Sequence, residues 1–268
     1  MKIGLEEMYG DVDIDEATLD ALLARSLNPR PSTMLYDKMG ALGLSSEHLL
    51  LDIGCRDARH TCELVKRYGC RAVGIDPVAR HIRLCAETIT GHELNDKISV
   101  HQGVAEALPL EDNSIDFIWC RDVLTHIADL QGAFSECARV LKTGGKMLIY
   151  QTLATDELTF SEAEWLYPRL VVVPQNMSFA TMQQAFQANG LMLTEKDIIG
   201  SEWREWWEEN GVNTTSKQLL QIARMRRDRE RLLSELGEAN YEIELANCVW
   251  GVYQMLGKLQ PTCYVIVK

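Results

Sequence analysis

LLLDIGCRDARH, residues 49–60, decides the fold. LLLDI (49–53) reads as a buried strand, Gly54 lets the chain turn tightly, and a helical pattern, DARHTCELVKRYG (57–69), begins at once. A strand that turns through glycine into a helix gathers backbone N–H groups and the positive end of the helix dipole where a ligand can be held. The pattern then repeats outward. RAVGID (71–76) is a second strand and VARHIRLCAETI (78–89) a second helix. ISVHQG (98–103), IDFIWC (115–120), the helix LQGAFSECARVL (130–141) and the strand GKMLIYQ (145–151) follow. Near-continuous apolar strands separated by amphipathic helices predict βαβ units and a parallel sheet covered on both faces. Right-handed crossovers then align the strand carboxyl ends along one edge, the edge where open α/β sheets bind ligands.

The flanks of this core are helical. DEATLDALLARSL (15–27) and STMLYDKMGALGL (32–44) read as two helices separated by NPRP (28–31). After the core, FATMQQAFQANGL (179–191) is a helix closed at Asn189-Gly190, and LMLTEKDIIG (191–200) a strand. Residues 201–257 are helical in pattern, and PTCYVIVK (261–268) is a last short strand. The expected organisation is one domain: an N-terminal helical cap (1–45), a Rossmann-like core (46–200 and 258–268) and a helical lid insertion (201–257).

Composition narrows the function classes. Of 268 residues, 27 are basic and 39 acidic, a net charge of −12 that disfavours a phosphate-tracking nucleic-acid binder. The mixed-sign run RMRRDRERLL (224–233) reads as a solvated helix face. The acidic N-terminus lacks the apolar stretch of a signal peptide, and no run approaches the ~18 apolar residues of a membrane span. Eight cysteines are scattered without a CxxC pair, as expected of small buried hydrophobes in a cytoplasmic protein rather than of disulfides or a metal site. Self-association is left open.

Two acids stand out in the core. Asp52 ends the first strand and Asp76 the second. An acid at the tip of the second strand is placed to accept hydrogen bonds from the ribose hydroxyls of an adenosine cofactor. As ordinary structural residues, Asp52 would cap a helix and Asp76 would be a turn acid ahead of Pro77.

The ordered set LLLDIGCRDARH, VGIDP and HQGVAEALPLEDNSIDFIWCRDVLTHIADLQGAFSECARVLKTGGKMLIY resembles the class I S-adenosylmethionine-dependent methyltransferases, most closely their small-molecule branch. The resemblance covers residues 49–151. It implies an α/β fold: a seven-stranded, mostly parallel sheet with helices on both faces and the last strand antiparallel. It implies S-adenosylmethionine as cofactor, with Asp52, Gly54 and Cys55 around its methionyl end and Asp76 on the ribose. Pro77 would lie beside the adenine, Ala105 and Glu106 would border the adenine amine, and the Cys120 carbonyl would hold the methionine ammonium. Three positions in two places depart from the family pattern. Arg56 and Ala58 stand where glycines are usual, and Val104 where an aspartate commonly precedes Ala105. The arginine must leave the cleft or take a role within it.

Methyl transfer from a sulfonium is an in-line displacement, so the protein supplies alignment and, for a protonated acceptor, a base. In RDVLTHI, Asp122 and His126 are spaced i,i+4, and on a helix Asp122 would orient the imidazole and leave one nitrogen free to accept a proton. Alternatively His126 packs structurally below the cofactor. His60 and His101 are less well placed, and His48, His81 and His92 read as surface residues. Trp203, Trp206 and Trp207 form a helical aromatic stripe, read as core packing or as the wall of an acceptor pocket. Tyr9 and Tyr36 from the cap, with Trp203, Arg204, Trp207 and Tyr241 from the insertion, are the large side chains available to shape that pocket.

The sequence therefore predicts methyl transfer to a small-molecule acceptor, with carbon, nitrogen or oxygen as the receiving atom. The alternative is the same fold binding the cofactor but catalysing another reaction, such as cyclisation, or serving a regulatory or partner-binding role. Modification of RNA or protein is disfavoured by the acidic charge.

Overall fold

The computed structural model describes residues 3–9, 15–25 and 29–268. Seven strands form one sheet in the order β3-β2-β1-β4-β5-β7-β6. They are β1 (Leu49–Ile53), β2 (Arg71–Asp76), β3 (Ile98–Gln102), β4 (Ile115–Arg121), β5 (Leu141–Ala154), β6 (Met192–Ile198) and β7 (Leu259–Val267). The first five pair in parallel, while β7 runs antiparallel between β5 and β6. This is the topology expected from the sequence. The order reverses at β1, whose neighbours are β2 and β4, so the crevice at its carboxyl end is the switch point where such sheets take ligands.

Successive strand residues point to opposite faces, and both faces are buried. Leu51, Ile118 and Met147 face one core, filled by α6 (Leu130–Val140) and α8 (Phe179–Ala188). Leu50, Trp119 and Leu148 face the other, filled by α3 (Met34–Ala41), α4 (Arg59–Tyr68), α5 (Ala79–Gly91) and Trp203 of α9 (Glu202–Glu209).

The insertion is not one long helix. It breaks into α9, α10 (Thr214–Arg227), α11 (Arg229–Leu236) and α12 (Glu238–Met255). The breaks fall at Gly211 and Asn213, both at positive φ, then at Asp228, then at Gly237, also at positive φ. Helix α12 packs on α10, on β7 and on α7 (Phe160–Arg169). At the start of α7 Thr159 and Glu162 form a reciprocal cap. The N-terminal helices α1 (Leu5–Tyr9) and α2 (Glu16–Arg25) carry exposed apolar residues, among them Leu5 and Leu22. Residues 1–2, 10–14 and 26–28 of the expected cap lie outside the described residues.

Candidate active site

At the carboxyl edge of the sheet the loops after β1, β2 and β4 enclose a cleft of about 870 Å³. That is a volume suited to a cofactor-sized ligand. Asp52, Gly54, Arg56, Asp76, Pro77, Val78, His81, Trp119, Arg121, Asp122 and His126 all line it.

The loop after β1 is built for close approach. Gly54 turns at φ +73°, and a Cβ there would come within 2.4 Å of Val123 Cγ2. Its N–H and that of Cys55 donate to the Ile75 carbonyl at 2.8 and 3.2 Å, tying the loop to the end of β2. Arg56 and Ala58 also adopt positive φ, +52° and +57°. The chain thus keeps the left-handed turns of the missing glycines, at a cost of roughly 1–2 kcal/mol for each L-residue. The Arg56 N–H then donates to Asp76 Oδ2 at 3.1 Å. Asp76 Oδ1 accepts from the Val78 N–H and meets His81 Nδ1, both at 2.9 Å. Asp76 is buried and held from three sides, with acceptor capacity left on Oδ2. Asp52 is also buried and accepts from the Thr61 hydroxyl at 2.5 Å. Burial raises its carboxyl to about 7.

The segment after β4 corrects one expectation. Asp122 and His126 do not share a helix face, because only Leu124–His126 is helical and as a single 3-10 turn. Asp122 sits at φ +54°, and its Oδ1 accepts from the Thr152 N–H at 2.9 Å and from Gln151 Nε2 at 3.3 Å. Burial raises the Asp122 carboxyl above its ordinary range. No hydrogen bond joins it to His126. The imidazole instead uses Nδ1 toward the Val171 carbonyl, 3.1 Å away. A carbonyl only accepts, so Nδ1 carries the proton and Nε2 of the neutral ring is left as an acceptor. Asn176 holds the turn by donating to the carbonyls of Leu124 and Ile127 at 2.8 and 2.7 Å.

A second cavity of about 340 Å³ adjoins the first. Arg56, Asp122 and His126 line both, and Thr125, together with Asn247 and Trp250 of α12 and Leu170 and Val172 after α7, completes it.

The remaining sequence candidates fall in three places. Tyr36 lines the main cleft. Cys120 is fully buried with its side chain in the α6/α8 core, as is Ala105, and neither they nor Glu106 line the cleft. The acceptor-pocket residues are largely elsewhere. Tyr9 is 78% exposed and lines neither cavity. Trp203 stacks on Tyr150 at 4.4 Å, Arg204 is buried against Gln254 and Gln218, and Trp207 packs beside Arg204. Tyr241 donates to the Met225 carbonyl inside the α10–α12 core. These four build the helical layer and line neither cavity.

Conversely, His81, read as a surface residue, sits on Asp76, and His60 lies in the cleft beside Arg121. Trp250 and Asn247 carried no motif. A helix assignment for residues 238–255, with these two placed on one face, was the only signal that could have found them.

Residues 51–149 match the model of the methyltransferase domain family. Residues 51–149 thus form a methyltransferase domain of this family. Among curated relatives of this methyltransferase domain, an uncharacterized methyltransferase YcgJ of Bacillus subtilis is 32% identical over 117 residues, 44% of this chain and 46% of that protein. A sterol 24-C-methyltransferase of Schizosaccharomyces pombe is 27% identical over 163 residues, 59% of this chain and 43% of that one. The chain spans about half the length of the curated relatives it matches. Similar solved folds cover more. A putative sarcosine dimethylglycine methyltransferase from Galdieria sulphuraria superposes with a TM-score of 0.67 at 20% identity, over 94% of this chain and 85% of that one. The [4+2]-cyclase SpnF reaches 0.69 at 17% identity, over 88% and 80%.

Proposed function

We propose that this protein transfers a methyl group from S-adenosylmethionine to a small-molecule acceptor. The observation that carries the reading is the junction of the two cavities: Arg56, Asp122 and His126 border both. The larger cavity holds the groups suited to a nucleoside, with Asp76 toward the ribose, Pro77 and Val78 beside the base, and Asp52 and Gly54 farther along. When bound, the cofactor supplies the electrophilic methyl and a thioether leaving group. The smaller cavity, walled by Trp250, Asn247, Leu170 and Val172, is the acceptor site. His126 offers Nε2 where the two meet, as a base that takes the acceptor's proton. Asp122, tied to Thr152 and Gln151, fixes the β4 exit rather than the imidazole.

The confined second cavity favours a small acceptor over a macromolecule, as does the net charge of −12. Eight free, buried thiols favour a reducing, cytoplasmic setting. No helix among the described residues is long and apolar enough to cross a membrane. A second reading, in which the same cleft promotes another reaction such as cyclisation, is favoured by Arg56 standing at the junction and by the likeness to a cyclase fold. Release of S-adenosylhomocysteine in an acceptor screen separates the two. Methyl transfer predicts stoichiometric release with one acceptor class, and turnover of that acceptor without release would sink it.

A further inference from the structure

We propose that the methyl acceptor is a compact carboxylic acid and that Arg56 is the residue that selects it, an assignment that rests on the second cavity being the acceptor site. Arg56 is pinned at its backbone. Its N–H donates to Asp76 Oδ2 at 3.1 Å, and its carbonyl accepts from the Cys85 thiol at 3.3 Å. Its side chain, by contrast, makes no hydrogen bond or ion pair among the described residues. The carboxylates around it are engaged elsewhere. Asp57 pairs with Arg59 at 2.7 Å, Asp76 Oδ1 meets the Val78 N–H and His81, and Asp122 Oδ1 accepts from Thr152 and Gln151. A turn at φ +52° is one that glycine takes freely, so the arginine stands there at a backbone cost that only its side chain can offset.

The second cavity supplies the rest of the site. Arg56, Asp122 and His126 border both cavities, and of these only Arg56 carries a permanent positive charge. Other polar side chains of the smaller cavity are also unengaged. The Thr125 hydroxyl and the Asn247 amide make no hydrogen bond among the described residues, and His126 keeps Nε2 free. Trp250 lies three residues beyond Asn247 on α12 and stacks on no ring or cation among the described residues. Its face is open to the apolar body of a ligand, and Leu170 and Val172 add apolar wall.

Charge fixes the class of acceptor. A junction that already holds a guanidinium disfavours the positive sulfonium of S-adenosylmethionine, because like charges in one confined space repel. An anionic acceptor relieves both. The planar guanidinium fork matches a carboxylate, and one unpaired cation matches one negative charge. A phosphate dianion would set a second negative charge beside Asp122 with no further permanent cation in the smaller cavity to meet it. At about 340 Å³ this cavity is at the small end of ligand sites. It suits a compact acid, with its carboxylate on Arg56 and its apolar body on Trp250.

Ligand-observed NMR titration of the full chain saturated with S-adenosylhomocysteine tests this. The probes are benzoate, phenylacetate and indole-3-acetate, each set against its neutral amide. At least one acid should bind ~10-fold more tightly than its amide. Arg56→Gly, which suits the left-handed turn, should bring that ratio within ~2-fold of unity and keep S-adenosylhomocysteine affinity within ~2-fold of wild type. Trp250→Ala should weaken acid and amide alike. Amides that bind as tightly as the acids, no binding of any acid, or a ratio that survives Arg56→Gly would each overturn the proposal. A ~10-fold loss of S-adenosylhomocysteine in Arg56→Gly with the ratio intact would also overturn it, by giving the arginine to the cofactor. If Arg56→Gly fails to fold, Arg56→Gln decides by the same ratio. Failure of S-adenosylhomocysteine to bind the wild-type chain would instead refute the cofactor reading itself, and the proposal with it.

Discussion

His81 Nδ1 stands 2.9 Å from Asp76 Oδ1, on the carboxylate proposed above to receive the ribose. The Val78 N–H already occupies that oxygen, so a ribose hydroxyl reaching Oδ1 must displace the imidazole. Asp76→Ala should weaken S-adenosylhomocysteine binding by ~1.5–3 kcal/mol, the range for hydrogen bonds to a charged group. His81→Ala should tighten it ~2–5-fold, since the competing donor is gone while two backbone N–H groups still hold the carboxylate. Calorimetry reads both, and weaker binding in His81→Ala would mean that the histidine assists the ligand.

Val171 supports His126 from a strained position. It is a β-branched residue at φ +54°, 76% exposed, with its carbonyl on the imidazole. Val171→Gly relieves the backbone and gives up little burial, so stability should rise by ~0.5–1 kcal/mol in chemical denaturation. Turnover should nevertheless fall, because the looser carbonyl holds the Nδ1–H tautomer less firmly. His126→Ala should lower turnover ~10²–10⁴-fold with cofactor affinity kept. A loss of tenfold or less would make the histidine a packing residue.

Asp52 makes stability depend on pH in an unusual direction. Its folded carboxyl titrates near 7, above the ordinary 3.8, so between these values the folded chain binds a proton that the unfolded chain has released. Its contribution is then most favourable below about pH 4, declines as pH rises, and is lost above about 7. Asp52→Asn keeps an oxygen for Thr61 and has no proton to lose. Thermal melts should show this variant gaining on wild type from pH 5 to pH 8, by on the order of 2–4 kcal/mol in total. A constant difference across that range would contradict the assignment.

The insertion reaches the site through one buried polar chain. Arg204 Nε donates to Gln254 Oε1 at 3.0 Å, Gln254 Nε2 to the Thr152 hydroxyl at 3.2 Å, and the Thr152 N–H to Asp122. Gln254→Leu takes away one of the two amide acceptors of the buried Arg204 guanidinium, leaving Gln218, and should cost ~1–3 kcal/mol. Arg204→Met removes the charge together with its need for partners and should cost less. Denaturant midpoints that reverse this order would show that the chain does not carry the packing.

The sheet was legible because its strands are buried on both faces and so write themselves as apolar runs, LLLDI and IDFIWC among them. Asp52, Gly54 and Asp76 were legible because a strand end, a turn and an acid occur in a fixed order. Two conformational facts hid the rest. Asp122 leaves β4 in the left-handed region, which breaks the helix that RDVLTHI suggests, and a backbone carbonyl 45 residues away orients His126 without any residue type announcing it. Likewise the tryptophan stripe was correct as a helix, but nothing in its spacing says that Trp203 lies flat on Tyr150 rather than facing a ligand.

The antiparallel entry of β7 between β5 and β6 has a consequence for how the chain is made. Strand β6 pairs with β7 alone, yet 60 residues separate Ile198 from Leu259. During synthesis the five parallel strands can assemble first, with β5 exposing the edge that β7 later covers. For the time needed to add those residues, roughly 3–12 s at ordinary elongation rates, β6 has no partner and β5 an open flank. The nascent protein is then most prone to pair with a neighbour on the same message, and slower translation across the insertion lengthens that exposure.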